Sequence, residues 1–164
     1  MSVDFVFTES NLVRAQAIMG NYPAEHQRSA VMPLLHLVQE QNNNWIPDSA
    51  VEYIADMIDI PQIWVKEVMA FYSLYNTNEV GKYLIKVCRT ISCWLCGSQS
   101  VLDACKDFLG VNVGETTEDK KFTLMEIECL GACKSAPVVQ INDTYYENLT
   151  KDSIIKILTT LSQE

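Results

Sequence analysis

The chain contains Cys88-Arg-Thr-Ile-Ser-Cys93-Trp-Leu-Cys96 and, further on, Cys129-Leu-Gly-Ala-Cys133. Five of the six cysteines lie in these two stretches, and the sixth, Cys105, lies alone between them. Cysteines grouped in this way indicate a metal cluster, a zinc site, a redox dithiol or disulfides. The choice among these depends on where the two stretches lie in the fold.

Both cysteine-rich stretches follow directly on segments that have the pattern of a β-strand. In Lys82–Val87, the apolar side chains of Tyr83, Ile85 and Val87 fall on one side, and Phe122–Glu128 is also strand-like. The cysteines would then follow the C-terminal ends of two strands. If these strands are parallel neighbours, the cysteines meet at one end of a sheet and can form one shared site.

Helices and further strands complete the second half of the chain. Gly97–Leu109 carries a helical stripe, Pro137–Ile141 has a strand pattern, and Thr150 is the expected cap of a last helix. Asn142-Asp143 is typical of a hairpin turn. The order of elements predicts an α+β fold, in which residues 79–164 form a mixed β-sheet flanked by helices.

Residues 1–78 contain no cysteine and show helical periodicity, so we expect an N-terminal helical region. One helix is predicted over Ala24–Gln41, with a kink or a split at Pro33, because proline removes a backbone donor. Asp48 is the expected N-cap of the next helix. The turn-rich segment Asn76–Gly81 marks the boundary with the second half.

The last helix of this region is predicted to begin at Pro61 and to carry an apolar stripe. The stripe consists of Trp64, Val68, Phe71 and Tyr75. We expect these side chains to pack into the core. The alternative is that they form a docking face for a partner protein.

The composition limits the class of protein. The chain has 164 residues and a net charge of −9, with its Lys and Arg scattered, so a nucleic-acid partner is not expected. No apolar run approaches the roughly 18–20 residues that span a bilayer. Met1–Ser10 resembles neither a signal peptide nor a transit peptide, so we expect a reducing, cytosol-like compartment. There, clustered cysteines are more often metal ligands or redox groups than disulfides.

Three kinds of cysteine site are weighed by how many of the cysteines they use. A zinc site made of two close pairs, Cys93 with Cys96 and Cys129 with Cys133, leaves Cys88 without a role. A thioredoxin-type dithiol formed by Cys93 and Cys96 leaves three clustered cysteines unexplained. An iron–sulfur cluster uses most of them, because a two-iron cluster takes four thiolates, two on each iron.

Two ligand assignments remain open for such a cluster. In the two-plus-two assignment, Cys88 and Cys93 bind one iron, and Cys129 and Cys133 bind the other. In the plant-type assignment, Cys88, Cys93 and Cys96 act together with one distant cysteine. The helical stripe directly after Cys96 favours the two-plus-two assignment. Gly131, inside the second stretch, is expected to adopt a left-handed or tightly folded backbone.

Several runs of the chain resemble the small iron–sulfur subunits of the respiratory NADH dehydrogenase module, which form the E-subunit family of NADH:quinone oxidoreductase (complex I). The resemblance covers nearly the whole chain. The matching runs are Tyr22-Pro-Ala-Glu-His-Gln-Arg-Ser-Ala, Ala70-Phe-Tyr-Ser-Leu-Tyr-Asn, Gly81-Lys-Tyr, Gly114-Glu-Thr-Thr and, the longest, Glu126-Ile-Glu-Cys-Leu-Gly-Ala-Cys-Lys-Ser-Ala-Pro-Val-Val-Gln-Ile-Asn.

The resemblance implies a thioredoxin-like ferredoxin domain at residues 79–164. It implies one [2Fe–2S] cluster held by Cys88, Cys93, Cys129 and Cys133. It also implies electron transfer with a larger flavoprotein subunit, which carries FMN and the NADH site, and association with other peripheral-arm subunits at the inner face of the cell membrane. The chain has no nucleotide-binding glycine motif, so we expect no complete active site on this chain alone.

Residues around the cysteines carry further expectations. Members of this family often have Arg where this chain has Cys96. We expect Cys96 to be a free, partly buried thiol, and the alternative is that it replaces a ligand or tunes the cluster. Cys105 lies on a helix stripe and is expected in the core. The two histidines, His26 and His36, are expected at the surface or in packing contacts.

Carboxylates precede the second cysteine stretch. Glu126 and Glu128 would disfavour the addition of an electron if they point towards a cluster, and Arg89 and Lys134 would oppose that effect. A low midpoint potential is expected. The competing functions are the homologous subunit of a soluble hydrogenase or formate dehydrogenase, a free-standing thioredoxin-like ferredoxin, and a thiol oxidoreductase that uses Cys93 and Cys96.

Overall fold

A computed structural model of the chain describes residues 4–164. Residues 1–3, the start of the Met1–Ser10 segment considered above, lie outside the described residues. The chain divides into two compact units, one that ends at Glu79 and one that spans Val80–Glu164. Over residues 4–164, no helix is both long enough and apolar enough to cross a membrane.

The first unit is helical. Its core is formed by apolar side chains of every helix, with the aromatic rings of Phe5, Phe7 and Tyr53 packed edge to face against one another. Its elements are α1 (Glu9–Gly20), a 3₁₀ helix (Ala24–Ala30), α2 (Val31–Gln41), α3 (Asp48–Met57) and α4 (Gln62–Phe71).

The helix predicted over Ala24–Gln41 is split, but the split lies ahead of Pro33, so its predicted position at Pro33 is wrong. The first part is a 3₁₀ helix in which His26 leaves helical geometry, and α2 begins at Val31. Pro33 is therefore the third residue of α2. In this first turn, the N–H that proline lacks has no partner within the helix, so proline is tolerated there.

Asp48 was expected to cap α3, and this expectation is wrong by one residue. The cap position is taken by Pro47, which has extended backbone angles, and Asp48 is the first residue of the helix. Its carboxylate lies 3.5 Å from the Nζ atom of Lys66. Asp48 still suits this position, because a negative charge in the first turn faces the positive end of the helix.

The apolar stripe of the fourth helix is only partly buried, which corrects the expectation that it packs into the core. Phe71 is 80% exposed and Trp64 is 37% exposed, whereas Tyr75, which follows the helix, is buried. The residue of α4 that is fully buried is Val65. The Trp64 ring instead lies beneath the guanidinium of Arg28, whose Cζ is 4.6 Å from the ring centroid.

The second unit is a four-stranded mixed sheet with helices, as predicted. The sheet order is β2-β1-β3-β4; β1 and β2 are parallel, and β3 is antiparallel to both β1 and β4. The apolar faces of α6 and α7 pack with Tyr83, Ile85 and Val87 of the sheet in one core. The elements are β1 (Tyr83–Cys88), α5 (Ile91–Leu95), α6 (Ser98–Leu109), β2 (Phe122–Ile127), a 3₁₀ turn (Cys133–Ser135), β3 (Val139–Ile141), β4 (Thr144–Tyr146) and α7 (Lys151–Gln163).

The starts of α6 and α7 are determined by the residues that precede them. Thr150 caps α7, as predicted, because its hydroxyl accepts the N–H of Ser153 while the Ser153 hydroxyl accepts the N–H of Thr150. Gly97 precedes α6 with a φ of +94°. This angle belongs to the left-handed region that glycine adopts without strain, and it lets the chain turn sharply between α5 and α6.

Candidate metal centre

The two cysteine-rich stretches meet because β1 and β2 are parallel neighbours. Cys88, the last residue of β1, is the register partner of Ile127, the last residue of β2. The two loops leave the same end of the sheet, and the N–H of Arg89 donates to the carbonyl oxygen of Ile127 at 3.0 Å. The geometric condition derived from the sequence is therefore confirmed.

The first cysteine pair lies inside the protein. Cys88 and Cys93 are both 1% exposed and form a small apolar cluster with Val138. The segment between them begins a five-residue helix, α5, at Ile91. This helix places Cys93 on the side that faces Cys88.

The second cysteine pair lies at the surface, and its two sulfurs are close together. The Sγ atoms of Cys129 and Cys133 are 3.3 Å apart. Gly131 lies between them with a φ of +81°, which confirms the predicted left-handed backbone. Its N–H donates to the Sγ of Cys129 at 3.4 Å, so the turn directs a backbone donor at a sulfur.

Hydrogen bonds and burial act in opposite directions on the inner pair. Burial opposes ionisation of Cys88, but the Thr90 hydroxyl, at 3.3 Å, and the backbone N–H groups of Thr90 and Leu130 outweigh it, so the pKa of Cys88 lies below its usual value. Burial, together with the neighbouring Cys88 thiol, raises the pKa of Cys93 to about 11. The two thiols of this pair therefore differ in pKa, which lies below the usual value for Cys88 and above it for Cys93.

The two outer cysteines also have pKa values shifted in opposite directions. The N–H of Gly131, followed by the thiol of Cys133, lowers the pKa of Cys129. The hydrogen bond to Cys129 and the charge of that residue raise the pKa of Cys133. The charge of Cys88 also acts to raise the pKa of both outer cysteines. The inner and outer pairs therefore lie close enough to influence one another.

The donor set fits a two-iron cluster. Two thiolates, each about 2.3 Å from one tetrahedral metal ion, are separated by roughly 3.8 Å, so a small widening of the Cys129–Cys133 pair would hold one iron. Pairs of thiols match a cluster with two thiolates on each iron, whereas a zinc site needs three or four ligands around one ion.

The remaining cysteines lie apart from these pairs. Cys105 is completely buried in α6, as expected, and burial raises its pKa to about 12. Cys96 was expected to be partly buried, but it is exposed, because it follows the last turn of α5 on the solvent side. The histidines His26 and His36 lie at the surface, as expected, and the ring of His36 contacts that of Tyr75.

The charge of Glu128 is compensated next to the site. Arg89 donates to the Oε1 atom of Glu128 through Nε at 3.1 Å and Nη2 at 2.6 Å. Both side chains are more than half exposed, so this ion pair adds little to stability. The ion pair holds the carboxylate of Glu128 next to a cation, which weakens the electrostatic effect of this carboxylate on charge at the cysteines.

Sequence reasoning missed two groups of residues at this site. The first group is Thr90 and Ser92, whose hydroxyls help to lower the pKa of Cys129 and oppose the rise of the pKa of Cys133. Their position between two cysteines was a usable signal, since Ser and Thr often donate to nearby groups in turns. The second group is the exposed apolar surface of α5, which consists of Ile91, Trp94 and Leu95.

Comparisons with known proteins agree with this description. The family model of thioredoxin-like [2Fe–2S] ferredoxins matches residues 15–162. The E subunit of NADH-quinone oxidoreductase from Rickettsia felis is 50% identical over all of this chain and 98% of its own length, and the Rickettsia conorii protein of the same name is 52% identical over 98% of this chain and 96% of its own. The mitochondrial NADH dehydrogenase [ubiquinone] flavoprotein 2 of Dictyostelium discoideum is 45% identical over 94% of this chain and 62% of its own length.

A solved structure shares the fold. A chain of an NAD⁺-reducing [NiFe]-hydrogenase in the air-oxidised state superposes with a TM-score of 0.71 and 16% sequence identity. The likeness covers 81% of this chain and 23% of the hydrogenase chain. The relatives at about half identity are named as subunits of an oxidoreductase. The chain belongs to the thioredoxin-like [2Fe–2S] ferredoxin family, among relatives named as E subunits of NADH-quinone oxidoreductase.

Proposed function

We propose that this chain is an electron-transfer subunit of an NADH-quinone oxidoreductase and that Cys88, Cys93, Cys129 and Cys133 hold one [2Fe–2S] cluster. The observation that carries the proposal is the arrangement of two thiol pairs at the ends of the adjacent parallel strands β1 and β2. Membership in the [2Fe–2S] family and half identity to E subunits of that oxidoreductase support it. When bound, the cluster supplies one-electron redox chemistry.

The residues of this chain have three roles in that chemistry. Cys88 and Cys93 hold the buried side of the site, where Val138 and its neighbours exclude water. Thr90 and Gly131 aim donors at sulfur, which stabilises thiolates. Cys129 and Cys133 are exposed, so they mark the side that a redox partner can approach. Electron transfer through this side requires no bond to form or break in a substrate.

The proposed partner is a larger flavoprotein subunit that carries FMN and the NADH site. Its docking surface on this chain is the α5 surface, where Ile91, Trp94 and Leu95 are 76%, 62% and 71% exposed. Three large apolar side chains on five residues of helix are unusual on a free surface and typical of the centre of an interface. They flank Cys93, so a protein docked there would lie beside the cysteines. In this proposal, the assembled complex lies at the inner face of the cell membrane.

The test is electron paramagnetic resonance of the anaerobically purified protein after reduction, together with iron analysis. We expect a rhombic two-iron signal and about two irons per chain. NADH should reduce the cluster only when the flavoprotein subunit is present. Stoichiometric zinc in place of iron would contradict the cluster, and reduction by NADH without a flavoprotein would contradict the assigned role as a subunit.

The alternative of a soluble hydrogenase module is distinguished by the chains that co-purify. The likeness to the NAD⁺-reducing hydrogenase is one of fold, at 16% identity. Purification under mild conditions from native membranes should recover quinone-reducing subunits with this chain. Recovery of a nickel-containing subunit instead would favour the hydrogenase alternative.

A further inference from the structure

The first unit contains a cleft to which the proposed electron transfer assigns no role. The cleft has a volume of about 790 Å³, and its walls come from the segment ahead of α1, the loop between α2 and α3, and parts of α3 and α4. The described residues that line it include one basic side chain, Lys66, and four carboxylates. We call it the acidic cleft, and its carboxylates are Asp4, Asp48, Glu52 and Glu79.

The first unit as a whole has an excess of negative charge. Residues 4–79 contain ten Asp or Glu and three Lys or Arg, which gives a formal net charge of −7. Each of the three basic side chains already forms an ion pair with a carboxylate of the same unit. The pairs are Arg14 with Glu40, Arg28 with Glu67, and Lys66 with Asp48. A second copy of the chain, or any other anionic surface, is therefore repelled, whereas a basic partner is attracted.

The acidic cleft also has an apolar and aromatic lining. Phe5, Trp45 and Pro47 line it together with Val6, whose side chain is 59% exposed. An indole ring such as that of Trp45 can bind a guanidinium group or the aliphatic stem of a lysine. The cleft therefore suits a long side chain that combines an apolar stem with a positive charge, which describes lysine and arginine.

Hydrogen bonds hold one wall of the acidic cleft in place. The N–H of Phe5 donates to the Oγ atom of Ser49 at 3.2 Å, and the side-chain amide of Gln41 donates to the carbonyl oxygen of Val6 at 2.8 Å. The same amide accepts the N–H of Thr8 through Oε1 at 3.0 Å. A wall that is already ordered loses little conformational entropy when a partner binds.

Lys66 shows where the acidic cleft holds a positive charge. Its Nζ atom lies 3.5 Å from the Oδ1 atom of Asp48, and both side chains are at least half exposed. Such an exposed ion pair is weak, so an incoming ammonium or guanidinium group can replace Lys66 beside Asp48. Glu52 lies four residues further along α3 and also lines the cleft, so it provides a second carboxylate on the same side of the helix.

We propose that the acidic cleft is a docking site for a lysine- or arginine-rich segment of a partner protein. Two basic side chains of this segment pair with Asp48 and Glu52, and the stem of one of them packs on Trp45. The cleft shares no residue with the α5 surface, and its chemistry does not involve the cysteines. The proposal therefore goes beyond electron transfer, because it gives the helical unit a role in attachment.

The test measures binding of a fluorescein-labelled hexa-arginine peptide to the full-length protein by fluorescence anisotropy at about 0.15 M salt. The double variant Asp48→Asn, Glu52→Gln should bind the peptide about fivefold more weakly, because two exposed ion pairs are lost. The double variant Asp59→Asn, Glu25→Gln is the matched control. It makes the same change in net charge at exposed carboxylates of the same unit that do not line the cleft, so we expect nearly wild-type affinity.

A variant of Lys66 tests the opposite direction. Lys66→Gln removes the cation that competes for Asp48, so binding of the peptide should become tighter, by about twofold. Arg14→Gln makes the same change in net charge outside the cleft and should have a smaller effect. Equal effects of these two substitutions would overturn the proposal, because the peptide would then respond only to the overall charge of the unit.

The same reasoning defines the other contrary outcomes. Equal weakening in the two double variants, or no binding at about 1 mM peptide, would overturn the proposal. Circular dichroism verifies the helix content of each variant, and if the cleft double variant is not folded, Glu52→Gln alone is held to the same criterion. In the complex purified with its partner chains, a carbodiimide should join Asp48 or Glu52 to a lysine of another subunit. Cross-links to other subunits only from carboxylates outside the cleft would contradict the assignment.

Discussion

Cys88 and Ile127 are register partners at the C-terminal ends of the neighbouring parallel strands β1 and β2. This pairing explains why cysteines far apart in the sequence converge. Both loops leave the same end of the sheet. Cys93 and the second pair, Cys129 and Cys133, follow within a few residues of that end. An antiparallel pairing of the same strands would have sent the two loops to opposite ends.

The first prediction concerns the ligand set. Replacing Cys133 by Ser should remove or strongly weaken the cluster, because one iron would lose one of its two thiolates. Cys96→Ser is the matched control, since Cys96 is exposed and directly follows α5, the helix that carries Cys93. Iron content and visible absorption measure both variants. Full iron in Cys133→Ser together with iron loss in Cys96→Ser would reverse the assignment in favour of the plant-type set.

The second prediction concerns the turn between the outer cysteines. Gly131→Ala should lower the free energy of unfolding by about 1–2 kcal/mol, because an alanine at a φ of +81° is strained even though no atom crowds the added Cβ. The strain should also reduce iron retention, since the N–H of Gly131 points at Cys129.

Gly20→Ala is the control for this strain. Gly20 ends α1 and likewise has open space around an added Cβ, but its φ is not positive. Urea unfolding should show unchanged or slightly higher stability for this variant, because alanine is the better helix former. Equal losses in both variants would show that the left-handed backbone of Gly131 is not the cause.

The fold was largely predictable because its main elements have strong local signals. The alternation of Tyr83, Ile85 and Val87 and the Thr150 cap both describe the structure correctly. The α4 stripe was assigned to the core only partly correctly: Val68 and Tyr75 pack there, but Trp64 and Phe71 are exposed. Periodicity shows that a helix has an apolar face but not whether another element covers it. Asp48 was misplaced by one residue because Pro47 satisfies the extended backbone of the cap position without a side-chain hydrogen bond.

The site was predictable only in part. The cysteine spacing and the strand before each cysteine stretch are local sequence patterns. Together they predicted that the cysteines meet at one end of the sheet. Helix α5 was missed because five residues are too few for a periodic pattern. A cavity of about 220 Å³ lined by Cys88, Ser98 and Glu126 was also out of reach, because its walls come from β1, β2, α5 and α6, whose proximity is a product of tertiary packing.

The third prediction concerns Glu126. Glu126 and Cys88 line the same small cavity, whereas the carboxylate of Glu128 is paired with Arg89. Glu126→Gln should therefore raise the midpoint potential, because removal of a nearby negative charge favours the added electron. Glu118→Gln, in the exposed loop before β2, is the control and should leave the midpoint unchanged. A redox titration of both variants decides, and a lower midpoint in Glu126→Gln would contradict the assigned direction.

The fourth prediction concerns the α5 surface. Leu95→Asp should weaken binding to the flavoprotein subunit at least tenfold, because a charge would be buried at the centre of the interface. Val13→Asp is matched in exposure, at 65% compared with 71%, but lies on α1 in the first unit. Affinity between the purified subunits measures both. Wild-type affinity for Leu95→Asp would rule out this surface as the docking site, and iron content confirms that the cluster remains intact.

The fifth prediction uses thiol alkylation to separate the two ligand assignments. In the iron-free protein near pH 7.5, Cys129 should react faster than Cys93 and Cys105. Cys129 is exposed and has a lowered pKa, whereas burial raises the pKa of Cys93 to about 11 and that of Cys105 to about 12. Only the thiolate reacts, so the rate follows its fraction at the working pH.

Iron loading changes this pattern in a way that depends on the ligands. With the two-plus-two set, Cys129 and Cys133 become protected, and Cys96, which is exposed and free, is the site that reacts. With the plant-type set, Cys96 becomes protected, and one of the outer cysteines stays reactive. Mass spectrometry of the labelled peptides therefore distinguishes the two sets. Cys105 serves as an internal control, because its complete burial in α6 should protect it in both forms.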